Sequence, residues 1–128
     1  MKTILILFLS LGCLFGLDIK NDSTFKQIYQ EKQNSDKIVL MLYSAKTCPQ
    51  CAYMKEKVFQ DKEVKKFMNQ HFVILEKDIN KDDLPKNFEY FGIPTMFFID
   101  KSGKQIDKIV GSSRANVFLE QIKKIVKQ

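Results

Sequence analysis

Tryptophan is absent, histidine occurs once, and cysteine appears only three times. A structural zinc knuckle needs four ligands, usually two cysteine pairs or one pair with two histidines. With Cys13 set aside, Cys48, Cys51 and His71 fall short of that, and no structural metal is expected. Internal repeats and low-complexity tracts are also missing. The longest apolar run, Ile4 to Leu11, is shorter than the roughly 20 residues of a comfortable membrane span. No motif of an RNA- or DNA-binding module is present. The net charge of +6 and pI near 9.2 therefore need another explanation. Lysines alternate with carboxylates, as at Lys55, Glu56, Lys57, Asp61, Lys62 and Glu63, the pattern of a solvated helix face. No nucleic-acid partner is expected.

What is present starts with length. The 128 residues suit one domain, large enough to bury a core without disulfide staples. The first residues, MKTILILFLSLGCLFG, have a basic start, an apolar middle and small residues near the end, the form of a secretory signal. The expected division is a signal peptide over 1–16 and a folded domain over 17–128, with a cut after Gly12 or Gly16. A second reading makes Cys13 a lipidated cysteine, since SLGC resembles a lipoprotein box. Ser10 and the apolar Leu14 and Phe15 depart from that pattern. An uncleaved anchor is a third reading. Each places the domain in an exported, periplasmic setting, free or attached to a membrane through its N-terminus. Cys48 and Cys51 are then a single pair in a compartment where disulfides persist.

Thr24 and Gln27 form a capping-box pattern, and Phe25, Ile28 and Tyr29 fall on one face, predicting a helix to about Gln33. Ile38–Ser44 is a continuous apolar run of strand length, suited to a strand covered on both faces. A helical pattern follows from Pro49 to Asn69, with a break at Gln60-Asp61 and Asp61 as cap. HFVILEKDI reads as a strand, DDLPKNFEYF as a short helix or turn, and IPTMFFID as a third strand. DKSGK is a hairpin turn and QIDKIV a fourth strand. Ser112 or Ser113 caps a closing amphipathic helix. The expected fold class is α/β, a mixed four-stranded sheet with helices on both faces and right-handed crossovers.

In this order Cys48 falls where a strand gives way to a helix. Either Thr47 caps through a Thr47-x-x-Gln50 box, or Cys48 is itself the cap and Pro49 takes the first helical position. Both arrangements turn unpaired backbone N–H groups and the positive helix end toward the Cys48 sulfur. That favours the thiolate, with a pKa in the range of roughly 3.5–7.5 expected for such positions. Cys51, one turn further in, is expected to be more buried and less ionised.

Cys48-Pro49-Gln50-Cys51 after a buried strand, with Gly92-Ile93-Pro94-Thr95 about forty residues later, resembles the thioredoxin superfamily. The resemblance covers roughly Asn21 to Val126 and is closest to bacterial exported thioredoxin-like proteins and the C-terminal domain of the transmembrane disulfide-interchange reductase. VFQDKEVKKFMNQHFV is similar to their connecting region. The resemblance implies a thiol–disulfide oxidoreductase with Cys48 as nucleophile and Cys51 as resolving thiol. It also implies a cis Pro94 beside the sulfur, and substrate contacts from Thr47, Pro49, Gln50, Ile93 and Pro94. The clients would be proteins with disulfides or thiols and the electron donor a membrane relay reductase, with no cofactor.

Three features depart from the family. Thr47 stands where thioredoxins have Trp. Leu42 stands where they have a buried Asp, leaving Glu76 as one candidate helper for Cys51 and Tyr43 as a weaker one. Pro-Gln is neither of the familiar dipeptides; it lacks a cationic His, which argues against a strong oxidant. The direction expected is reduction. A disulfide-forming oxidase or isomerase of the same fold remains an alternative, as does a soft-metal handler or a non-catalytic tethered assembly factor. His71 is expected to be a solvated turn residue.

Overall fold

The three central strands alternate strictly between two cores, and this organises the molecule. A computed structural model describes residues 16–21, 23–31, 34 and 36–128. The signal, the lipobox and Cys13 lie outside the described residues. Chain order is β1 (Ile19–Lys20), α1 (Phe25–Gln30), β2 (Ile38–Ser44), α2 (Pro49–Tyr53), a π-helical turn (Met54–Val58), α3 (Lys62–His71), β3 (Phe72–Asp78), β4 (Thr95–Ile99), β5 (Gln105–Val110) and α4 (Ala115–Val126). Leu40 and Leu42 of β2, Phe72 and Ile74 of β3, and Met96 and Phe98 of β4 face a core closed by Met54, Val64, Met68, Phe118 and Ile122. Val39, Met41, Tyr43, Val73, Leu75, Phe97 and Ile99 face the other way, toward Ile28 and Phe88. Side chains alternate across a strand, so a strand buried on both faces reads as an unbroken apolar run.

The sheet has five strands in the order β1-β3-β2-β4-β5. The expected number was four; the added strand is β1, two residues pairing in parallel with Ile74 and Leu75 on the open edge of β3. β2 and β3 are parallel, whereas β4 runs antiparallel to both β2 and β5. Thr24 caps α1 through a complete capping box with Gln27, and the helix ends at Gln30, short of Gln33. Asp61 caps α3 by accepting from the Glu63 and Val64 amides. The stretch 83–90 carries turns and no helix. In the hairpin, Asp100 accepts from the amides of Ser102 and Lys104, and Gly103 takes the positive φ of 86° that closes it. No serine caps α4. Arg114 holds the cap position without a side-chain bond, and the Ser113 hydroxyl is buried without a partner among the described residues. Gly111, at φ 87°, donates to the Pro94 carbonyl, and the chain needs the next three residues to turn back into the helix.

Candidate active site

β2 carries the chain to Ser44 and buried Ala45, and a turn closed by the Cys48 amide donating to the Ala45 carbonyl at 3.1 Å starts α2. Cys48 is the N-cap, extended at φ −97° and ψ 104°, and Pro49 takes the first helical position. Of the two arrangements open in the sequence, this is the one in which sulfur itself caps. The Cys51 amide donates to Cys48 Sγ at 3.1 Å. Cys48 and Cys51 are joined in a disulfide, their Cα atoms 5.3 Å apart. Cys48 is half-buried and Cys51 wholly buried, so only the first sulfur is open to another protein.

Thr47, Pro49 and Gln50 surround Cys48 and are exposed. The strand register brings in the second motif. Thr95 pairs with Tyr43, so the residues just before Thr95 run beside 44–46, the segment leading into Cys48. The Ile93–Pro94 peptide is cis, Ile93 is half-buried and Pro94 is buried. The loop is pinned at both ends. Thr95 Oγ1 donates to the Gly92 carbonyl at 2.6 Å, and the Gly111 amide donates to the Pro94 carbonyl at 2.8 Å. Two neighbours were not picked out from the sequence. Phe91, next to the loop, is 96% exposed, and Val110, paired with Thr95, is 59% exposed. The available signal for Phe91 was an aromatic in a turn-rich stretch, where no helix or strand face could bury it.

Beneath the helix lies a polar cluster. Leu42 is fully buried and pairs in register with Glu76. Alternation puts Leu42, Ser44 and Glu76 on the face covered by the π-helical turn, α3 and α4. Glu76 Oε1 accepts from Ser44 Oγ at 2.6 Å and from Lys55 Nζ at 2.7 Å. The Glu76 side chain is 18% exposed and that of Lys55 31%, so this is a half-buried ion pair rather than a strand-end surface carboxylate. Lys55 belongs to the π-helical turn, in which the Phe59 amide donates to the Met54 carbonyl, five residues back. Tyr43 faces the opposite core. Its ring meets Tyr90 and Phe97 edge-on, its hydroxyl is buried without a partner among the described residues, and burial, with Tyr90 adding to it, raises its pKa to about 12. That position removes it as a helper for Cys51. His71 ends α3, half-buried against Phe67 with ring centroids 4.4 Å apart. Among the described residues no group of three or more His, Cys, Asp or Glu is placed to hold a metal, and no helix is long and apolar enough to cross a membrane.

Residues 25–125 match the family described as a thioredoxin-like domain. The chain belongs to that family, and is a thioredoxin-like thiol–disulfide oxidoreductase with its CXXC pair at Cys48 and Cys51. It is 28% identical over 105 residues to the thiol:disulfide interchange protein DsbD of Campylobacter jejuni, covering 78% of this chain but only 18% of that protein. A candidate disulphide isomerase from Bacteroides thetaiotaomicron superposes with a TM-score of 0.72 at 27% identity, over 88% of this chain and 95% of that one. The oxidised C-terminal domain of Neisseria meningitidis DsbD superposes with a TM-score of 0.61 at 23% identity, over 78% and 88%.

Proposed function

We propose that this domain reduces disulfides in exported client proteins. The observation that carries the reading is the Cys51 amide aimed at Cys48 Sγ at the start of α2. With the pair reduced, that donor and the helix end stabilise a thiolate on the more open sulfur. The Cys48 thiolate attacks a client disulfide. A Cys48–client bond forms and the other client sulfur leaves as thiolate. Cys51 then gives up its proton, with Glu76 as the proposed acceptor, and attacks Cys48 Sγ. The second client sulfur leaves as thiolate and takes its proton from the surroundings, and two electrons have passed to the client as Cys48–Cys51 closes. A membrane relay reductase re-reduces the pair. Thr47, Pro49, Gln50, Ile93 and Pro94 form the client-facing rim, and exposed Phe91 and Val110 extend it as apolar contacts in a molecule without tryptophan.

Two measurements test this. Equilibration of the pair against glutathione should give a potential near the thioredoxin value of about −270 mV; one near the strong oxidants, about −120 mV, overturns the direction. Cys51→Ala should accumulate mixed disulfides on Cys48. Adducts formed by a Cys48→Ala variant instead would reverse the two roles.

A further inference from the structure

At the far end of the sheet from the cysteines lies a groove of about 750 Å3 between α3 and the β1 edge. Lys62, Lys65 and Lys66 line it from one face of α3, Lys20 from β1, and Lys37 from the foot of β2. Two carboxylates also line it, Asp18 and Glu31, and both are engaged by Lys20 Nζ, at 3.5 and 3.3 Å. Among the described residues the other four lysines pair with no carboxylate. The floor includes Leu17 and the first residues of β3, Phe72–Ile74. The groove is a basic rim around an apolar strip, with much of the positive charge uncompensated.

We propose that this groove docks on an anionic phospholipid surface and holds the cysteine pair facing away from it. Charge complementarity is the first argument, since anionic headgroups attract lysines within a Debye length, about 8 Å at physiological salt. The second is the point at which the chain enters. Gly16 lines the groove, and in the sequence the apolar run Ile4–Leu11, then Cys13, Leu14 and Phe15, come just before it. Three residues from Cys13 to Gly16 reach at most about 11 Å, and five from Leu11 at most about 18 Å. A lipid on Cys13, or an apolar segment left in a bilayer, therefore brings the groove to the headgroups. The proposal rests on that N-terminal segment staying with the chain.

Orientation follows from strand direction. Lys37 directly precedes β2 and Cys48 follows its other end. Seven parallel-strand residues span about 23 Å. With the groove on the membrane, the Cys48 sulfur stands at least that order of distance from the surface, open to proteins in the aqueous compartment.

The test uses the full chain carried in vesicles of phosphatidylcholine alone or mixed with phosphatidylglycerol, with residue-resolved amine labelling. Retention in neutral vesicles reads the N-terminal anchor by itself. Labelling of Lys62, Lys65 and Lys66, relative to Lys123, Lys124 and Lys127 of α4, should fall about fivefold in the anionic vesicles only, and recover at high salt. A Lys62→Glu, Lys65→Glu, Lys66→Glu variant should lose the protection and keep its insulin-reducing activity. Equal labelling in both vesicle types overturns the proposal. So does equal protection in both, which would need only the anchor. Protection by an acidic peptide or an oligonucleotide, but not by anionic vesicles, assigns the groove to a different partner.

Discussion

Replacing Glu76 by Gln separates structure from proton transfer at one site. The carboxylate accepts two short bonds, from Ser44 at 2.6 Å and Lys55 at 2.7 Å, with 18% of its side chain exposed. Hydrogen bonds to charged groups contribute about 1.5–3 kcal/mol. Nearly a third of the Lys55 side chain is open to solvent, which places this bond at the lower end, about 1.5 kcal/mol. The amide keeps the shape and the Ser44 contact, so the expected cost is that one bond. The melting temperature should drop by about 5–10 °C. Lys55→Met should cost a similar amount, and the double variant should show a coupling of about 1 kcal/mol in a thermodynamic cycle. The catalytic expectation is separate. Cys51 is fully buried, so its proton needs an acceptor inside the protein. If Glu76 is that acceptor, stopped-flow resolution of a Cys48 mixed disulfide at pH 7 should slow by about 10²-fold in the Gln variant, the low end for a positioned base. The gap should narrow toward pH 8.5, near which a free thiol ionises unaided. A Gln variant that melts early but resolves at the wild-type rate at pH 7 would reduce Glu76 to a structural ion pair.

Other outcomes follow from the same geometry. Tyr43→Phe removes a buried hydroxyl that has no partner among the described residues and should raise stability by about 1 kcal/mol in urea unfolding; a loss would mean that the hydroxyl is satisfied in solution. Burial raises the pKa of Tyr43 and of Tyr29 to about 12, against about 10 in an unfolded chain. The folded state therefore binds more protons in that window. Stability should be full below pH 10 and fall as pH rises from 10 to 12, with a shallower fall in Tyr43→Phe. Phe118→Ala, fully buried with its ring 5.5 Å from Phe59, should cost about 3–5 kcal/mol, checked by thermal melting of the oxidised protein. Phe91→Ser should leave the melting temperature unchanged, since the ring is in water, and raise KM for a protein client while sparing reduction of a small aromatic disulfide. Equal effects on both substrates would argue against a docking role.

Much of this was legible in the sequence, for a physical reason. β2, β3 and β4 are buried on both faces, so their apolar runs need no distant information to be read as strands. The cysteine pair showed through its spacing and its place where a strand gives way to a helix, whereas Pro94 was reached only through the resemblance to the thioredoxin superfamily. β1 could not be seen that way. Two residues carry no periodicity, and Ile19–Lys20 is a strand only because the edge of β3 is free to pair with it. The serine cap failed because Gly111 is held by Pro94, which leaves Ser112 and Ser113 to make the turn. Glu76 was visible as a candidate, but Lys55 was not. It sits in a run of charges that reads as solvated, and its meeting with Glu76 depends on a strand 21 residues later in the chain.

The short β1 strand also bears on where the chain can be trimmed. Ile19 and Lys20 cover the Ile74–Leu75 stretch of an otherwise open, largely apolar edge. A cut at Gly16 leaves that cover in place, whereas one past Lys20 strips it and leaves unpaired amides and carbonyls beside leucine and isoleucine. Such an edge invites another copy to add a strand, so overtrimmed protein should cluster edge to edge while its redox pair remains intact.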